Sequence, residues 1–284
     1  MDTFFTSTEG IRSPRILYGT AWKKEDTESL VRTAILQGYR GIDTACQPKH
    51  YNESGVGTAM SAFLEEEGSD GTLAREDLYL QTKFTPLSGQ DPARIPYDPN
   101  APLGEQVRQS FAVSLRNLRT DYLDCLILHS PLPDAVQNLE VWQTMESLVH
   151  ARGVKRLGIS NCYQLEQLQA LCESAYLKPA VVQNRFYADT RYDREIRAYC
   201  RQHGIIYQSF WTLTANPQVL THRTVRELAA RHGRTPAQIL FRYLTQIDIV
   251  PLTGTRSEMH MREDLAIFEF ELAEFERAAM DALF

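Results

Sequence analysis

Asp43, Lys83, His129 and the pair Ser160–Asn161 each close a short apolar run, and Gln183–Asn184 and Ser209–Phe210 close two more. Singly, such residues have plain explanations: Asp43 can cap a helix, and His129 can be a satisfied core histidine. At the ends of neighbouring runs they form a set with a chemistry. A buried Lys83 beside Asp43 is a paired charge, which lowers the cost of burying either partner. A tyrosine near that ammonium is expected to have its phenolate favoured and its pKa lowered, which suits proton transfer near neutral pH. His129 can hydrogen-bond the same substrate oxygen. The set is suited to protonating a carbonyl oxygen while hydride arrives from elsewhere. No side chain can supply hydride, so a nicotinamide cofactor is implied. Ser160, Asn161 and Gln183 offer hydroxyl and amide groups to a carboxamide, and Phe210 offers a flat face to its ring. The stretch GIDTACQPKHYNESGVG (41–57) brings Tyr51 after Asp43, with Lys49 and His50 between them.

The elements that must position these groups follow from the apolar pattern. Eight short runs read as strands: 15–19, 39–43, 78–83, 124–129, 156–160, 180–184, 205–209 and 247–252. They are rich in Ile, Val, Leu and Tyr and too short for helices. Between them lie amphipathic segments such as TESLVRTAILQ, LEVWQTMESLVHAR, LEQLQALCESA and QVLTHRTVRELAARH, with Gly38, Gly153 and Gly204 placed to end helices. This alternation predicts one (β/α)8 barrel domain over 1–284, with its site at the C-terminal ends of the strands. A doubly wound open sheet is the alternative, but no G-x-G-x-x-G follows the first strand. The partial match GVGTAM (55–60) reads as glycines that let a helix pack closely. Residues 86–104 hold five prolines and no periodicity; following the third strand, they fall on the catalytic face as a candidate lid.

Bulk properties narrow the partners. A net charge of −6 and a pI near 5.7 leave no basic face for a nucleic acid. No run approaches the roughly 20 apolar residues of a membrane span, and the start MDTFFTSTEGIRSPR lacks the pattern of a secretory signal. Five cysteines without a C-x-x-C pair read as reduced thiols, so a cytoplasmic setting is expected.

Seven stretches in order resemble the signatures of the aldo-keto reductases: GTAW (19–22), GYRGIDTA (38–45), YLQTKF (79–84), DYLDCLILHSP (121–131), GVKRLGISN (153–161), QNRFY (183–187) and REDLAIFEFEL (262–272). The resemblance covers nearly the whole chain. It implies a (β/α)8 barrel, typically monomeric, that binds NADPH and reduces small aldehydes or ketones, with NADH as the other nicotinamide to consider. The family's Asp–Tyr–Lys–His tetrad falls on Asp43, Tyr51, Lys83 and His129. Implied cofactor contacts are Gly19, Thr20, Asp43, Ser160, Asn161, Gln183, Phe210, Trp211, Leu213 and Thr253. Trp22, Tyr51, Phe84, His129 and Trp211 are the implied pocket walls. Many relatives continue beyond the final FERAAMDALF into a loop over the substrate, so a shallower pocket is expected here.

Two departures from the family pattern matter. The family writes D-T-A-x-x-Y-x-N-E; the loop here is two residues longer, and aligned on Asn52–Glu53 it sets His50 at the tyrosine position. Tyr51 is the better acid by chemistry, and His50 is the alternative donor. In VPLTGTRSEMHMRED (250–264), Leu252 stands where the family has Lys, and His260 lies near the family's Arg. Arg256 or Arg262 is then expected to meet the cofactor's 2′-phosphate, with weaker NADP selectivity, and helix N–H groups can add to that contact. Glu263 and Asp264 match the family's adenine contacts, with Asp replacing Asn. Two other readings stay open: a non-catalytic NADP-binding regulatory barrel, and an aldolase using Lys83 as a Schiff-base nucleophile, which the pairing with Asp43 opposes. Cys46 and His50 as metal ligands lack a third partner.

Overall fold

The computed structural model describes residues 4–6, 12–67 and 73–284. All eight expected strands form: β3 (Leu17–Gly19), β4 (Gly41–Asp43), β5 (Tyr79–Phe84), β6 (Cys125–Leu128), β7 (Leu157–Ser160), β8 (Val181–Arg185), β9 (Ile206–Phe210) and β10 (Ile249–Thr253). They are parallel and close on themselves in the order β10-β3-β4-β5-β6-β7-β8-β9, which removes the open-sheet alternative. Strands buried on both faces need apolar residues at nearly every position, which is why they read as unbroken runs. All six residues of β5 are buried. Two antiparallel strands, β1 (Phe4–Thr6) and β2 (Arg12–Pro14), precede the barrel and are not foreseen from the sequence. Phe4 and Phe5 from this hairpin pack against an inner cluster that includes Leu17, Tyr79, Cys125, Val181 and Ile206.

The helices are α1 (Thr27–Gln37), α2 (Glu53–Glu67), α3 (Leu103–Leu118), α4 (Ala135–His150), α5 (Leu165–Ser174), α6 (Arg194–Gln202), α7 (Pro217–Leu220), α8 (Arg223–His232), α9 (Pro236–Gln246), α10 (Glu258–Leu265) and α11 (Glu274–Asp281). Their apolar faces and the outer faces of the strands make the main core. The segment expected as one helix over 218–232 is two, because the His222 side chain accepts from the Thr224 N–H and starts α8 afresh. Gly38 ends α1 at φ 113°, a left-handed cap that glycine adopts without strain. Gly57 sits within α2, and a Cβ there would lie 2.2 Å from the Asn117 carbonyl oxygen at the end of α3. The glycine therefore permits close helix packing, as read from GVGTAM.

The proline-rich segment before α3 is fastened down rather than free. Gln90 donates to the Cys46 and Thr85 carbonyls at 3.0 and 3.1 Å, and the buried Tyr97 hydroxyl donates to Thr85 O at 2.8 Å. Its residues do not line the main cavity, so the expected lid role is not seen.

Candidate active site

Strand periodicity aims alternate side chains into the barrel, and on β5 these are Tyr79, Gln81 and Lys83. Lys83 Nζ lies 2.7 Å from each Asp43 carboxylate oxygen and 2.9 Å from the Thr44 carbonyl. These three bonds use all three ammonium protons. Asp43 Oδ1 also accepts from Gln81 at 2.6 Å and Gln183 at 2.9 Å, and both glutamines bond Gln208 Oε1. The carboxylate, on β4, is thus held by side chains from β5 and β8, with Gln208 of β9 bracing the two glutamines. Burial pulls the Lys83 pKa below its ordinary value, with Asp43 acting in the opposite direction.

Tyr51 and His129 stand above this pair. The Lys83 ammonium is 5.3 Å from the centre of the Tyr51 ring, and the Tyr51 and His129 rings meet edge-on at 6.0 Å. The lengthened loop delivers Tyr51 because its far end is anchored: the Glu53 carboxylate, two residues on and buried, accepts from Thr82 at 2.6 Å and Ser114 at 2.8 Å. His50 belongs to a different group. Its ring packs 3.8 Å from that of Trp22, and Nδ1 is 3.1 Å from Gln47 Oε1. Burial and the nearby Lys49 and Arg94 charges lower the His50 pKa.

The Tyr51 phenol departs from expectation. Burial, followed by the Asp43 carboxylate, pushes its pKa well above the ordinary value instead of lowering it. Tyr51 is therefore a protonated acid across the ordinary pH range. His129 is held neutral, because burial and Lys83 push its pKa well below normal. Thr85 Oγ1 lies 2.7 Å from His129 Nδ1 and among the described residues makes no other bond, so its hydroxyl can donate there and leave Nε2–H as the ring's donor.

A cavity of about 960 Å³ opens over these groups. Of the expected residues it is lined by Gly19, Trp22, Asp43, Tyr51, His129, Ser160, Asn161, Gln183, Phe210, Trp211, Leu213, Thr253, Arg256, Glu263 and Asp264, and His50, the alternative donor, lines it as well. Trp22 and Trp211 are 54% and 48% exposed, which makes them walls and not core. Lys83 lies beneath the cavity floor. Three expected residues fall elsewhere. Phe84 faces outward on β5, buried against Tyr97 at 5.7 Å. Thr20 uses its N–H and hydroxyl on the Asp43 carbonyl, tying β3 to β4. Arg262 pairs with Glu258 one helical turn away. Arg256 lines the cavity, but its guanidinium is engaged by Asp26 at 2.7 Å and by the Trp22 and Lys23 carbonyls.

The Gln183 amide nitrogen is likewise taken by Asp43 and Gln208, which leaves Oε1 for the cavity. Asn161, at φ 54°, donates to the His129 carbonyl at 2.8 Å. Sequence reading missed Gln81, Gln208, Thr85, Lys23 and Arg185. Gln81 and Arg185 share the inward parity of Lys83 and Gln183, a signal that would have found them. Lys23 is buried, donates to the Gly254 carbonyl, and has its pKa pulled down to about 8 by burial and Arg256.

These residues fit a dinucleotide. The flat rings of Phe210 and Trp211 line the cavity, carboxylates at Glu263 and Asp264 line it from α10, and the buried Nε of Arg185 has no partner. Burial pushes the Asp264 carboxyl up to about 7, while Thr253 Oγ1 donates to it at 2.7 Å. A raised carboxylate pKa means that the ionised form opposes folding. The penalty sets in as pH rises past about 4, grows to about pH 7 and is constant above that. Asp264→Asn is expected to be more stable than the parent by up to about 4 kcal/mol near pH 8, with the gain shrinking as pH falls toward 4. Urea unfolding across that range measures it.

The family model for the aldo/keto reductase family matches residues 15–284. An uncharacterized oxidoreductase of Bacillus subtilis is 31% identical over 281 residues, covering 98% of this chain and 91% of its own. The glyoxal reductase of the same organism is 31% identical over 259 residues, covering 91% of this chain and 83% of its own. Among solved structures, an aldo/keto reductase from Brucella melitensis superposes with a TM-score of 0.81 at 26% identity, covering 99% of both chains. A Bombyx mori aldo-keto reductase solved in complex with NADP shares the fold, with a TM-score of 0.81 at 24% identity over 98% of this chain and 92% of its own. The chain belongs to the aldo/keto reductase family, and it is an NAD(P)H-dependent oxidoreductase.

Proposed function

We propose that the protein reduces small aldehydes and ketones to alcohols with NADPH, Tyr51 giving the proton. The observation that carries this reading is the grouping of the Tyr51 phenol, the Lys83–Asp43 pair and neutral His129 on the floor of one cavity. When bound, the nicotinamide supplies hydride. Tyr51, protonated by its burial, donates a hydrogen bond to the carbonyl oxygen and then the proton that the nascent alkoxide needs. Lys83 holds positive charge beneath the phenol as that proton leaves. His129 Nε2–H aims the substrate oxygen at Tyr51, with Thr85 holding the ring. Trp22 and Trp211 shield the site from water. Ser160, Asn161 and the free Oε1 of Gln183 hold the carboxamide; Gly19, Leu213, Thr253, Glu263 and Asp264 line the rest of the cofactor's course.

Relatives are named glyoxal reductase and methylglyoxal reductase, so small dicarbonyls head the substrate screen. The test follows loss of reduced-cofactor absorbance with glyoxal, methylglyoxal, simple aldehydes and cyclic ketones, using NADPH and NADH in parallel. Turnover with NADPH is expected, with a modest preference over NADH because Leu252 carries no charge and Arg256 is engaged by Asp26. Tight NADPH binding with no turnover of any carbonyl would favour the regulatory-barrel reading instead.

A further inference from the structure

Arg185 has no part in the proposed proton transfer, yet it is the least satisfied cation of the cavity. It is the last residue of β8 and shares the inward parity of Gln183, one step nearer the mouth. Its register partner is Phe210. The guanidinium centre lies 4.2 Å from the Trp211 ring centre and 5.2 Å from that of Tyr187. These aromatic contacts orient the planar fork without using its protons. Nε is buried and makes no hydrogen bond, and among the described residues no carboxylate pairs with the group. The other cations in or beneath the cavity are engaged: Lys83 by Asp43, Lys23 by the Gly254 carbonyl, Arg256 by Asp26. A partly buried cation without an acid is costly, and a chain of net charge −6 does not lack acids to pair with it. An oriented fork facing a cavity is matched by a bidentate oxyanion.

We infer that Arg185 binds an anionic oxygen group of a molecule held in the cavity. That group is the carboxylate of an oxo-acid substrate or a phosphate of the dinucleotide. The inference rests on the carbonyl-reductase reading only for the first source. The experiment uses Arg185→Gln, which removes the charge, and Arg185→Lys, which keeps charge without the fork. NADP⁺ is titrated by quenching of tryptophan emission, which needs no turnover and has Trp211 as a reporter beside the site. Separately, kcat/KM is compared for 4-oxobutanoate and its methyl ester.

A substrate carboxylate at Arg185 predicts that wild type prefers the acid. Arg185→Gln then lowers the acid-to-ester ratio by about tenfold or more, and Arg185→Lys by less. A cofactor phosphate predicts instead that the NADP⁺ dissociation constant rises by about tenfold or more in Arg185→Gln. Either result supports the inference and identifies the source. Both quantities staying within about twofold of wild type, in a variant shown by thermal melting to be folded, overturns it. If wild type reduces no carbonyl while Arg185→Gln still loses NADP⁺ affinity, the reductase reading fails and the anion site stands.

Discussion

Tyr51→Phe is expected to lower kcat for carbonyl reduction by about 10²–10⁴-fold, the range for losing a positioned acid. The substitution removes one hydroxyl and leaves the ring, so the edge-on contact with His129 and the placement of the Lys83 ammonium against the ring face persist. Binding of carbonyl substrates should change far less than kcat, because the lost interaction strengthens as charge develops on the oxygen. His50→Ala is the contrasting variant. His50 packs on Trp22 and touches Gln47, so its loss loosens a wall and should cost less than about tenfold, mainly in KM. Steady-state kinetics on both variants decide the matter. Retained turnover in Tyr51→Phe with loss in His50→Ala would reverse the assignment. The raised Tyr51 pKa adds a pH signature: no alkaline loss of reduction from ionisation of this phenol is expected near neutrality.

The strand-end set Asp43, Lys83 and His129 is readable from one chain because barrel strands announce themselves. Each is a short apolar run with a polar residue at its end. What could not be read is depth. The expectation that Lys83 would lower the Tyr51 pKa treats the ammonium as free to act on the phenol. In the folded protein its protons go to Asp43 and Thr44, and burial followed by Asp43 raises the phenol's pKa. That the Tyr51 ring, and not His50, stands over Lys83 was also closed to local reading. It depends on Glu53 finding Thr82 on β5 and Ser114 on α3, partners remote in sequence. The β1–β2 hairpin has three-residue strands, too short for a period to show. Phe84 was misread for a simpler reason: it adjoins Lys83, and adjacent strand residues face opposite ways.

The second large effect is on stability as well as rate. Asp43→Asn should destabilise the protein by about 3–5 kcal/mol, the cost of breaking a buried ion pair from one side. Lys83 would keep a buried charge with the Thr44 carbonyl and a neutral amide as its partners. Its folded-state pKa, already pulled below the ordinary value by burial, would fall further once the opposing Asp43 is gone. A depressed lysine pKa means that the unfolded chain binds more protons between the folded pKa and about 10.4. The deficit of Asp43→Asn against wild type should therefore shrink as pH rises through the depressed Lys83 pKa toward about 10, which denaturant melts at several pH values would show.

The same pair separates folding from catalysis. Asp43→Leu with Lys83→Met removes both charges at once, so no buried ion is left alone. It should be more stable than Asp43→Asn at neutral pH, since apolar replacements of buried pairs are often tolerated. Recovery would be partial, because Gln81 and Gln183 lose their shared acceptor on Asp43 and keep only Gln208. Reduction should stay about 10²-fold or more below wild type, because nothing beneath Tyr51 then balances the charge it takes on as its proton leaves. A double variant that is stable and still fully active would confine Lys83 and Asp43 to holding the barrel together.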